Sequence, residues 1–192
     1  MRKPVSILFI AIIMPFLSGC DLLEELSEVE IPLTFDGDIA ILKESAVSNP
    51  NDNITVESQI GFYSIAGDPE VKELLDEGAE ITKVTIDRVI YSYKNFEGDE
   101  EAFLLDGQMI IREALTSTTE VYPFVDSGTR IADADFRNES FQLLGNFAPI
   151  ESALVNPASG LGISYICVID RNPVSFDIGV TVNLTVTVKA DI

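Results

Sequence analysis

The strongest pattern in the chain lies near its end. Phe176, Ile178, Val180, Val182, Leu184, Val186 and Val188 share one phase of a two-residue period, and Asp177, Gly179, Thr181, Asn183, Thr185, Thr187 and Lys189 share the other. Side chains alternate across a strand, so this segment predicts one long strand with a buried apolar face and a Thr-rich face toward water. At about 1.5–3 kcal/mol per buried side chain, those seven residues carry a large share of the core.

The same period recurs upstream. Val29, Ile31, Leu33 and Phe35 alternate with Glu30, Pro32 and Thr34, and Pro32 places that strand at a sheet edge or with its amide position facing away from a partner. Asp36-Gly37 interrupts it, and Ile39 and Ile41 continue the phase. After the turn signal Ser48-Asn49-Pro50-Asn51-Asp52-Asn53, a second strand is predicted from Ile54, Val56, Ser58 and Ile60. Between Ile81 and Tyr93 the apolar phase switches from Val84 and Ile86 to Val89, Tyr91 and Tyr93, which predicts a β-bulge near Asp87-Arg88. Residues 95–101 read as an acidic turn, and 102–113 either as a hairpin turning at Asp106-Gly107 or, the reading preferred because each half would be very short, as a single strand with Phe103, Leu105, Met109 and Ile111 inward. Ile163 to Asp170 is apolar on both faces, as for a strand inside a sheet.

Helix signals are few. Asp68 can cap a helix that begins at Pro69, carries Val71, Leu74 and Leu75 as its buried stripe and closes at Gly78. A helical turn fits residues 147–155 after Pro149. Residues 121–125 predict a brief strand bent by Pro123, and 141–144 another short strand. Residues 127–140 read as polar loop anchored by Ile131 and Phe136. No repeat of 20–50 residues is present. The expected fold is all-β, an antiparallel β-sandwich of immunoglobulin-like or Greek-key type with seven to nine strands and one short connecting helix. The paired Cys and intervening Trp of an immunoglobulin domain are absent, since the chain has no Trp.

The start of the chain has a different character. Arg2 and Lys3 precede an apolar run from Val5 to Leu17, too short to span about 30 Å of hydrocarbon. Leu17-Ser18-Gly19-Cys20 follows. This stretch resembles the lipobox signal peptide of bacterial lipoproteins, and the resemblance implies cleavage before Cys20 and acylation of its sulfur. It also implies attachment to the membrane through covalent lipid on Cys20 and residence in the cell envelope, at the outer membrane or on its periplasmic or surface face. The division expected is a signal peptide over 1–19, an acidic tether over 20–28 and one β-sandwich domain over 29–192.

Charge narrows the partners. Loss of Arg2 and Lys3 with the signal leaves 12 − 2 = 10 basic against 32 acidic residues, a net charge of −22. No basic patch exists to neutralise phosphates, so nucleic acid is excluded as a partner, while an envelope protein is compatible. With Cys20 acylated, Cys167 has no disulfide partner; its phase with Ile163, Tyr165 and Ile169 predicts a small buried hydrophobe.

Candidate chemistry is sparse. The chain has no His, which removes the usual triads and most zinc sites, and it has no phosphate-loop, dinucleotide or nucleophile-elbow motif. No catalytic residue and no cofactor is assigned. Oxygen-rich stretches that calcium could use are Asp133-Ala134-Asp135-Phe136-Arg137-Asn138-Glu139 and Glu97, Asp99, Glu100 and Glu101, but neither follows the spacing of a calcium loop. Tyr91 and Tyr93 sit in phase with Val89 and read as core. The function expected is a non-enzymatic, lipid-anchored binding or assembly accessory; the alternative is a glycan- or calcium-binding module that uses the loops at one end of the sandwich.

Overall fold

The computed structural model describes residues 28–41, 54–115, 119–123, 128–171 and 174–190. Cys20, with the leader and tether, lies outside them, as does the turn over 48–53. Eight strands form: β1 (Glu28–Ile41), β2 (Ile54–Ser64), β3 (Glu80–Gly98), β4 (Leu104–Glu113), β5 (Thr119–Pro123), β6 (Ser140–Leu143), β7 (Gly160–Ile169) and β8 (Val174–Lys189). Three α-helices accompany them: α1 (Pro69–Asp76), α2 (Ile131–Phe136) and α3 (Ala148–Leu154).

The strands make two antiparallel sheets, β1-β8-β3-β6 (sheet A) and β2-β7-β4-β5 (sheet B). The protein is an all-β sandwich; successive strands alternate between the sheets except for the β4-β5 hairpin within sheet B, which is the order of a jelly roll, two interlocked Greek keys. Of the two sandwich types expected, the Greek-key one is realised.

β8 holds the centre of sheet A. All seven of its alternating apolar side chains are buried, and it pairs with β1 along one edge and β3 along the other. β1 is an edge strand, as Pro32 allows, and pairs Pro32 with Thr185. It runs unbroken through Asp36-Gly37 in continuous register with Thr181 and Val180 of β8, and Asp36 accepts a hydrogen bond from the Thr181 hydroxyl. Ile31, Leu33, Ile39 and Ile41 are buried, while Val29, at the strand's start, is 45% exposed.

The bulge expected near Asp87-Arg88 is present between Ile86 and Arg88. Two more interrupt β3, between Ile81 and Lys83 and between Lys94 and Glu97. The last of these carries Asn95 at φ +53°, so β3 extends through the expected acidic turn to Gly98.

In β4 the expected phase fails at one end. Met109 and Ile111 are buried, but Leu104 rather than Leu105 faces the core, and Leu105 is 42% exposed. A bulge between Leu104 and Asp106 shifts the alternation by one residue. β7 lies between β2 and β4, with Ile163, Tyr165, Cys167 and Ile169 buried.

α1 forms as expected: Asp68 accepts the Glu70 amide at 3.0 Å, Pro69 opens the helix, Val71 is buried and Gly78 closes it at φ +96°. The chain carries more helix than the single connector expected. Residues 131–136, expected as loop, form α2, which buries Ile131 and Ala134 one turn apart on one side. Phe136, five positions beyond Ile131, points away and is 87% exposed, so it does not anchor the segment.

Candidate functional site

The loops at one pole of the sandwich carry the acidic stretches singled out above. Here β3 runs into β4 and β5 into α2, and β7 ends. The carboxylates do not converge. Glu101 pairs with Arg130 at 2.6 Å, Asp99 with Arg171 at 3.7 Å, and Asp133 with Arg137 at 3.5 Å. Asp135 accepts the Phe96 amide at 2.9 Å, and Asp170 accepts that of Phe103 at 2.7 Å. Arg130 also lies over the Phe103 ring, 5.6 Å from its centroid. These contacts fasten the loops to one another. Among the described residues no three His, Cys, Asp or Glu side chains group closely enough to hold a metal ion.

A shallow polar groove of about 290 Å³ opens on the outer face of sheet A. Asp36, Asp38, Ser92, Lys94 and Thr181 line it, and Gly37 and Gly179 keep its floor low. Lys94 lies across Gly179, where a Cβ would collide with its ammonium, and reaches Asp38 at 3.3 Å. Nearby, Asp177 accepts from Asn95 at 2.7 Å and Asp87 from Thr185 at 2.8 Å. The face is a lattice of carboxylates held by hydroxyls, an amide and one ammonium. Sequence spacing alone does not reveal it, because its members come from three strands.

Two polar clusters are buried. Glu113, at the end of β4, is 1% exposed; it accepts hydrogen bonds from the Ser159 hydroxyl and, at 2.6 Å, from the Leu115 amide. The carboxylate, held by an amide and a hydroxyl, ties down the turn after β4. Tyr93 and Tyr165 meet between the sheets with their hydroxyl oxygens 3.3 Å apart. Tyr91 stacks on Phe141 at 5.4 Å, so both tyrosines expected as core belong to it.

Cys167 is buried as expected, and burial pushes its thiol up to about 12. A thiol held protonated is a poor nucleophile. Among the described residues no helix is long and apolar enough to cross a membrane. β1 starts at Glu28, so seven residues separate it from Cys20. Fully extended they reach about 25 Å at most.

No family model matches the chain, and no curated protein matches it. Among solved structures it is similar to the decameric BFDV capsid protein, with 11% identity, 83% of this chain and 98% of that chain covered, and a TM-score of 0.37. The 60-mer BFDV capsid protein has 10% identity, 86% and 96% coverage, and a TM-score of 0.33. A structure of infectious bursal disease virus, Gx strain, has 11% identity and a TM-score of 0.27, with 85% of this chain and 37% of that chain covered.

Proposed function

We propose that the chain is a lipid-anchored, non-enzymatic component of a bacterial envelope that serves as a binding or assembly accessory at the membrane surface. The observation that carries this reading is Leu17-Ser18-Gly19-Cys20 behind a charged start and a short apolar run. On this reading the seven residues between Cys20 and β1 hold the sandwich within about 25 Å of the bilayer. The pairing of the described loop carboxylates Glu101, Asp99 and Asp135 with arginines and a backbone amide is compatible with a non-enzymatic role. The same pairing leaves the glycan- or calcium-binding alternative without a favouring observation.

Mass spectrometry of the protein purified from membranes tests the reading. The expected N-terminus is an acylated Cys20, and Cys20→Ser should keep the leader and lose the lipid. An unmodified Cys20 behind an intact leader in the native protein overturns the proposal.

A further inference from the structure

The two sheets end in four edge strands, β1 and β6 in sheet A and β2 and β5 in sheet B. Three of them are guarded. β6 has four residues between two helices, β5 has five and ends at Pro123, and β2 is bulged between Ile60 and Tyr63. β1 instead runs 14 residues in one register without a bulge, and its only proline lies near its start. Pro32 has no N–H and sits directly opposite Thr185, so the ladder to β8 runs through the odd residues of β1. The even residues Thr34, Asp36, Asp38 and Ala40 therefore turn their N–H and C=O groups to the free side. Side chains approach most closely at pairs outside the ladder, as Thr34 does with Asn183 at 3.1 Å and Asp36 with Thr181. Among the described residues no strand pairs with this side of β1.

We infer that the Thr34–Ala40 stretch of β1 takes an added strand from a partner protein, an extended segment in which basic and apolar side chains alternate. The inference rests on the binding role proposed above and names the partner by its chemistry. Charge selects the occupant. Asp36 and Asp38 are exposed on the outer face, Glu28 and Glu30 share their phase, and β1 has no basic residue. Thr181 and Lys94 each engage one oxygen of these aspartates, and a carboxylate accepts further donors. A second copy of β1 laid antiparallel on this edge sets carboxylates against carboxylates, and like charges directly opposite are destabilising. Lys or Arg at those positions makes cross-strand ion pairs instead, each of modest strength, while the backbone ladder carries the affinity. On the inner side, the half-buried rings of Phe35 and Tyr63 lie 5.1 Å apart at the seam between β1 and β2. A side chain opposite Phe35 joins them, so apolar residues suit the alternate positions. Directly opposed residues share a face, so the basic residues are also the ones whose N–H groups bond to β1.

Fluorescence anisotropy tests this with a labelled peptide of alternating Lys and Val, as long as the Thr34–Ala40 stretch, titrated into the full mature chain in detergent. Salt of about 0.15 M screens long-range attraction to the acidic surface. The peptide should bind saturably. N-methylation at its Lys positions removes the N–H groups that face β1 and should abolish binding, whereas N-methylation at its Val positions should leave it within a few-fold. Asp36→Asn combined with Asp38→Asn should weaken binding several-fold, with circular dichroism confirming that this chain is folded. No saturable binding up to about 1 mM peptide overturns the inference. Binding that survives N-methylation at Lys also overturns it, because such binding is adsorption to an acidic surface. A chain that dimerises alone and is dissociated by the peptide assigns the edge to a second copy, which overturns it as well. Anisotropy reads binding whether or not Cys20 is acylated, so failure here leaves the mass-spectrometric test of the anchor unaffected.

Discussion

The Glu151 carboxylate on α3 accepts the backbone amide of Ile86 on β3 at 2.7 Å, at the bulge where β3 shifts register against β8. Asp135 on α2 does the same for Phe96 at the bulge between Lys94 and Glu97. β6 covers only Val89 to Ser92 of that edge. The continuous segment α2-β6-α3 thus closes the free side of β3, with a strand in the middle and a helix-borne carboxylate at each end. An open edge is a site for unwanted strand pairing, and here one segment blocks it.

Glu151→Ala should therefore destabilise the protein by about 1.5–3 kcal/mol, the range for a hydrogen bond to a charged group whose partner is left short of water. Urea unfolding monitored by circular dichroism reads the shift in midpoint. Glu151→Gln keeps an acceptor and should recover much of the loss. Equal loss in both variants would show that the carboxylate's charge matters more than its hydrogen bond.

The Tyr93–Tyr165 contact joins the sheets through a buried pair of hydroxyls. Each Tyr→Phe change should cost about 1 kcal/mol, and the double change less than the sum, with a coupling of at least ~0.5 kcal/mol. Additive losses in a double-mutant cycle would show that the pair contributes no shared term.

Leu184 sits at the middle of β8, 1% exposed, between Leu33 of β1 and Ile86 of β3. Leu184→Ala should cost about 2–5 kcal/mol, which places it among the most damaging single truncations. Thr185→Ala, on the opposite face, should cost about 1 kcal/mol through the loss of its hydrogen bond to Asp87. Thermal melts of the two variants check the contrast between the faces.

Burial raises the Cys167 thiol from its ordinary 9.0 to about 12. The folded protein keeps this proton where the unfolded chain releases it, so the stabilising contribution is complete below pH 9 and is lost as pH rises from 9 to 12. The loss should reach about 1 kcal/mol by pH 10. The Tyr122 hydroxyl, raised to about 12 by burial first and by Glu120 and Glu151 after it, adds a loss of the same sign above pH 10. Cys167→Ala should flatten the decline between pH 9 and 10 in urea titrations, and thiol reagents should label the native wild type only at the rate of its unfolding.

The sequence by itself determined every feature that rests on local periodicity or local capping. Seven alternating residues fixed β8 and its buried face, the phase switch at Asp87-Arg88 located a bulge, and Asp68, Pro69 and Gly78 bounded α1. These signals are legible because each is written within a few consecutive residues. Pairing was decided only in three dimensions. Alternation says which face of a strand is buried but not which strand lies beside it, so nothing local joins β1 to β8 across 149 positions, as in Thr34 and Asn183. The inward turn of Leu104 at a bulge and the folding of 131–136 into a helix over the β3 edge both come from contacts between distant segments. The proposal at Cys20, by contrast, rests on the order of residues 2–20 alone and on no tertiary contact.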